Sequence, residues 1–166
     1  MLRALGAAAA APVLSTRAVA VAYFEDLAVG DEAKSRESFE VERDEIIAFA
    51  RRWDPQPFHL DEAAARDSIF GGLTASSAHV FAIQCRLALT VDPLLAVLAG
   101  LGNDGFDFLL PTRPGDRLRL VRRILGKRES KTNPDRGIVQ IGHEIVNQGG
   151  EVVCRAVGRI LVARRA

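Results

Sequence analysis

Apolar and polar positions divide this chain into a helical first half and a strand-rich second half. After a Val29-Gly30-Asp31 turn signal, residues 35–42 alternate apolar and charged side chains closely enough for a β-strand. A helix follows. Glu42, Asp44 and Glu45 bring acids to its first turn, and Ile46, Ile47, Phe49 and Ala50 make an apolar stripe that stops where prolines begin. Asp61 can cap a short helix reaching about Ala65, and Ser68 to Gly72 breaks it. The longest helical pattern spans residues 75–89, free of Gly and Pro. There Ala78, Phe81, Ala82, Cys85 and Leu89 recur at steps of three and four while Val80, Ile83 and Leu87 fill other sides, so this helix is expected to be buried all round.

Residues 91–102 form a Leu-rich excursion bounded by Pro and Gly, expected to add a helical turn or two over a pocket. Runs rich in β-formers then occupy residues 105–110, 117–125, 137–146 and 151–162. Residues 111–116 separate the first two runs, residues 127–136 form a charged exposed connection, and Asn147-Gln148-Gly149-Gly150 joins the last two as a hairpin. One strand, a helical middle and four strands predict an α+β fold, with an antiparallel five-stranded sheet around the long helix. Residues 21–166 then form a single domain, large enough to hold a core without disulfides.

Composition narrows the function classes. Lys and Arg total 22 against 21 Asp and Glu, so the net charge of +1 offers no general attraction for nucleic acid. Cys85 and Cys154 lie in apolar segments with no CxxC or Cys/His cluster to hold a metal, and both are read as buried reduced thiols. Residues 1–20 lack acids and carry Arg3, Ser15, Thr16 and Arg17 in an alanine-rich run broken by Pro12. That composition fits a flexible tail on a cytoplasmic protein or a targeting-like segment for an organelle, and it is too short and alanine-rich for a membrane span.

The candidate chemistry centres on Asp54 and His59, an acid and an imidazole five positions apart around Pro55 and Pro57. The prolines argue for a shaped loop and against helix. Full extension at about 3.3 Å per residue would hold the two roughly 16 Å apart, so a working pair requires the loop to turn back. His79 reads as a packing or dimer-contact residue, His143 as a strand-face residue, and Ser76 as a helix N-cap in preference to a nucleophile. Arg113, Arg117, Arg119, Arg122, Arg123, Lys127 and Arg128 read as a solvated face, some of them available to a phosphate group.

Several motifs together carry a resemblance: YFEDLAVGD from Tyr23, DPQPFHLDEAAA from Asp54, FGGLTASSAH from Phe70, RPGD from Arg113, DRGIV from Asp135 and the terminal hairpin. Over residues 23–163 the chain resembles the MaoC-like dehydratase family, which is similar to the (R)-specific enoyl-CoA hydratases. The resemblance implies a hot-dog fold, a long helix lying in the curve of an antiparallel sheet. The family motif Asp-x-Asn-Pro-x-His matches Asp54 and His59 at the same spacing and implies that they are the catalytic pair. Gln56 replaces the Asn, Trp53 stands where Gly is common, and Ser77 occupies a Gly position. Trp53, Gln56 and Phe58 are therefore expected to shape the pocket.

The implied reaction adds water reversibly to a 2-enoyl-CoA thioester. Asp54 and His59 would share that water and move its protons. Backbone amides of Ser76, Ser77 or Ala78, at the positive end of the long helix, would face the thioester oxygen, and Gly72 with Gly71 would allow close approach. No metal or redox cofactor is implied, coenzyme A entering only as part of the substrate. A homodimer or higher homo-oligomer is implied, with neither nucleic acid nor membrane as partner. Two other readings stay open: a hot-dog acyl-CoA thioesterase, and a non-catalytic acyl-CoA-binding subunit, the latter motivated by Trp53, Gln56 and Ser77.

Overall fold

A computed structural model describes residues 20–165, and the tail expected over residues 1–20 lies outside them but for its last residue. After β1 (Val21–Ala22) and a short 3-10 turn at Phe24–Asp26 come β2 (Glu32–Lys34), β3 (Phe39–Glu40) and α1 (Arg43–Trp53). Two short helices follow, α2 (Pro57–Leu60) and α3 (Glu62–Arg66), then the longer α4 (Ser77–Ala88). The rest is strand: β4 (Leu94–Leu95), β5 (Val97–Phe108), β6 (Arg117–Glu129), β7 (Arg136–Val146) and β8 (Val152–Ala163).

The main sheet runs β2-β6-β7-β8-β5, and every pairing in it is antiparallel. β3 also pairs with β6, at Phe39↔Leu118, so β2 and β3 are two pieces of one edge and the sheet has five strand positions. Ser35 explains the break. Its Oγ accepts from Leu120 N–H at 3.0 Å and donates to the Glu37 carbonyl at 2.8 Å, so a side chain takes a backbone group that a continuous ladder would use.

Val80, Ile83 and Leu87 of α4 pack on Leu118, Leu120, Ile145, Val153 and Cys154 of the sheet, forming the main core. This is the hot-dog arrangement, a helix in the curve of an antiparallel sheet. A second cluster joins Phe24 and Leu27 to Ile124, Val139 and Val162. Phe24 packs against Gly137, where an added Cβ would come within 2.2 Å of the ring.

Three expectations are corrected. Residues 91–102 hold no helix: Leu94–Leu95 is β4, and from Val97 the chain is strand because the free edge of β8 offers ladder partners from Val162 onward and several irregular registers absorb the glycines. α4 is buried on one side only: His79, Val80, Ile83, Gln84 and Leu87 face inward, while Phe81, Ala82 and Cys85 stay exposed because the sheet covers only the opposite side. Cys85 is therefore exposed, and Cys154 alone of the two cysteines is buried. Among the described residues no helix is long and apolar enough to cross a membrane.

Candidate active site

Asp54 closes α1 as its C-cap, its N–H donating to the Ala50 carbonyl at 2.9 Å. Its own carbonyl accepts from Gln56 N–H at 2.8 Å, which turns the chain at once. The next step corrects the expectation that the prolines exclude helix. Pro57 begins the single turn α2, where the missing N–H would have been unpaired and the fixed φ already suits the helix. Within that turn His59 faces back toward Asp54, buried to 6% exposure.

The imidazole is held on one side and faces a carboxylate on the other. Nδ1 lies 2.7 Å from the Thr74 carbonyl, which can only accept, so Nδ1 carries the ring proton. Nε2 stands 3.6 Å from Asp54 Oδ2. In the neutral ring Nε2 is a bare acceptor, and so is the carboxylate. Neither can donate to the other, but both can accept from one water, which has two O–H groups to give. Thr74 is itself anchored: its hydroxyl donates to the Thr112 carbonyl at 3.1 Å, and Ala75 N–H donates to the same oxygen at 2.9 Å.

α4 begins beside this pair. Ser76 is the N-cap, its Oγ accepting from His79 N–H at 3.3 Å, which occupies the hydroxyl in capping. The amides of Ser77 and Ala78 have no acceptor among the described residues, as the first turn of a helix requires. His59 and Ser77 line one cavity of about 360 Å³, whose other walls include Phe58, Phe70, Val80 and Phe108. An apolar cavity with a few convergent polar groups is the usual form of a small-molecule site.

The remaining candidates fall elsewhere. Trp53 is 63% exposed, with the Arg52 guanidinium 4.9 Å from its ring. Gln56 is also exposed, and neither residue lines the cavity, whereas Phe58 does. Gly72 lines a neighbouring surface cleft with Arg66 and Arg113, and Ala78 is exposed. His79 packs against α1, stacked on Phe49 at 4.5 Å with Nε2 3.4 Å from Glu45 Oε1. Burial lowers its pKa and Glu45 partly opposes that. His143 lies on the buried face of β7, where desolvation, aided by the Arg122 charge, pushes its pKa down to about 4. Of the basic series, Arg117 pairs with Glu40, Arg123 with Glu32, Arg122 donates to the Pro93 carbonyl, and Lys127 donates to the Phe24 and Leu27 carbonyls.

Two residues of the sequence motifs, Thr74 and Arg113, have roles that the sequence did not signal. Thr74 serves the site through its carbonyl, which every residue type has. Arg113 donates to the carbonyls of Phe70, Gly72 and Leu73, some forty positions upstream, and no local pattern announces such contacts.

The profile of the MaoC like domain matches residues 25–146. The chain belongs to the MaoC-like family. A UPF0336 protein of Streptomyces griseus is 33% identical over 135 residues, covering 78% of this chain and 87% of its own. The crystal structure of a MaoC-like dehydratase from Rhodospirillum rubrum matches this MaoC-like protein with a TM-score of 0.82 at 46% identity, covering 87% of this chain and 99% of that one. An (R)-hydratase from A. caviae involved in PHA biosynthesis matches with a TM-score of 0.62 at 26% identity, covering 82% and 97%.

Proposed function

We propose that this MaoC-like protein is an acyl-CoA hydratase/dehydratase that adds water reversibly across the double bond of a 2-enoyl-CoA to give a 3-hydroxyacyl-CoA. The observation that carries the reading is that His59, which lines the cavity together with Ser77, turns its Nε2 toward Asp54 Oδ2, a carboxylate just outside that lining. A hydratase needs a water held by two acceptors and a donor for negative charge a short way off. The family membership and the (R)-hydratase likeness support the same reaction type.

In the proposed cycle the water oxygen bonds to C3 of the enoyl group and gives one proton to the Asp54/His59 pair. The π electrons move toward the thioester oxygen, where the Ser77 and Ala78 amides stabilise the enolate-like charge. The pair then returns a proton to C2, so one water is consumed and no oxidant or reductant is required. Dehydration runs the same steps backward.

A homodimer is part of the proposal. β5 is an edge strand, and Val97, Leu98 and Leu101 on it and Phe81 on α4 are all exposed by 40% or more. An unpaired edge beside exposed apolar side chains is a surface suited to a second copy. The test of function is a panel of enoyl-CoA and 3-hydroxyacyl-CoA substrates of several chain lengths, followed separately for double-bond change and for thiol release. Interconversion without thiol release supports a hydratase. Thiol release would make it a thioesterase, and binding without turnover a non-catalytic subunit.

A further inference from the structure

We propose that Arg113 is a positioning residue for this site, fixing the 70–74 segment so that the Thr74 carbonyl keeps His59 in its Nδ1–H form. Residues 70–73 belong to no helix or strand, and Gly71 sits at φ +65°, so their carbonyls have no regular ladder to join. Arg113 takes the place of that ladder. Nη2 donates to the Phe70 carbonyl, and Nη1 donates to those of Gly72 and, at 3.1 Å, Leu73. Among the described residues these three oxygens accept from nothing else in the hydrogen-bond network. The next carbonyl along the chain is that of Thr74, which holds His59.

The anchor is itself fixed. Arg113 N–H donates to Asp116 Oδ2 at 2.6 Å, and Asp116 Oδ1 accepts from Gln148 Nε2 at 3.2 Å. Gln148 lies in the β7–β8 hairpin, and its Oε1 accepts from Arg117 N–H at 2.9 Å. The guanidinium therefore links the rigid end of the sheet to an irregular segment ending at the catalytic imidazole. Gly72 lets it approach: a Cβ there would stand 3.3 Å from Nη1. Arg113 has no carboxylate partner within ion-pair distance among the described residues, so these contacts to neutral carbonyls are its principal engagement. The planar fork reaches these three carbonyls from two separate nitrogens in fixed directions, a geometry that a lysine, with all its donors on one nitrogen, does not reproduce.

The inference rests on the hydratase reading only for its kinetic consequence. Arg113→Met and Arg113→Lys are compared with the parent protein by NMR of the ¹⁵N-labelled imidazoles without substrate, His59 being assigned from its loss in a His59→Gln variant. The parent is expected to show the Nδ1–H tautomer at His59, and both variants a shift toward the Nε2–H form. On an enoyl-CoA, kcat is expected to fall about 10–100-fold while KM stays within about two-fold, the mark of lost positioning rather than lost binding. If Arg113→Met does not fold, Arg113→Lys decides. An unchanged His59 tautomer in a folded variant overturns the proposal, whatever happens to the rate. A shifted tautomer in a protein whose parent hydrates nothing leaves the positioning role standing and removes the hydratase reading instead.

Discussion

His59 Nε2 faces Asp54 Oδ2 across 3.6 Å while the opposite ring nitrogen, Nδ1, lies on the Thr74 carbonyl, so that in the Nδ1–H form of the ring one acceptor faces another. In the proposed cycle the two side chains act as one unit on a shared water. Asp54→Asn and His59→Ala should each lower kcat for enoyl-CoA hydration by about 10²–10⁴, and the double variant should fall little further than the worse single one. Steady-state rates of the three folded variants check this. Multiplying losses would mean that the residues act separately.

Ser77 separates amide from side chain cleanly. It is the first residue of α4, a position where proline is tolerated, and Ser76 before it already has the extended backbone, φ −69° and ψ 156°, that a following proline requires. Ser77→Pro deletes one N–H without breaking the helix and should cost about 10²–10³ in kcat if that amide stabilises the oxyanion. Ser77→Gly keeps the N–H and should stay near the parent rate.

At the far end of the sheet, Gly137 tests packing apart from chemistry. The Phe24 ring fills the space where a Cβ would sit, so Gly137→Ala must displace a residue that is only 5% exposed. A loss of about 1–3 kcal/mol in urea unfolding is expected, with little change in kcat for the folded fraction.

His143 makes stability depend on pH. Its folded pKa is about 4, below the ordinary 6.5, because burial and the Arg122 charge disfavour the imidazolium. Between those values the unfolded chain binds a proton that the folded one does not. The contribution is complete above about pH 6.5 and is lost as pH falls toward about 4. From pH 7 to pH 4.5 the parent should lose about 2–3 kcal/mol more than His143→Leu. Urea melts at the two pH values measure the difference, and equal losses would contradict the account.

Local patterns carried the elements whose signals are local. The α1 stripe, the Asp61 cap with its 2.8 Å bond from Ala64 N–H, the Ser76 entry to α4 and the Asn147–Gly150 hairpin are each decided within a few residues, and each was readable. Residues 97–102 were not, because Leu and Ala there fit a helix as readily as a strand and the glycines favour neither until β8 lies alongside. The exposure of Cys85 depends on which side of α4 the sheet covers, a tertiary fact that a helix apolar on most sides does not disclose. Within the site, Asp54 and His59 stood out by residue type and spacing. The Thr74 carbonyl and the Arg113 clamp did not, since one is backbone and the other acts across the fold.

The central claim is that water is added to the double bond and the thioester survives. Incubating the purified protein with a four-carbon 2-enoyl-CoA in heavy-oxygen water and locating the label by mass spectrometry tests it most directly. The account predicts one labelled oxygen in the C3 hydroxyl of an intact 3-hydroxyacyl-CoA. Label in a released carboxylate, with free coenzyme A thiol, or an unlabelled and unconsumed substrate would contradict it.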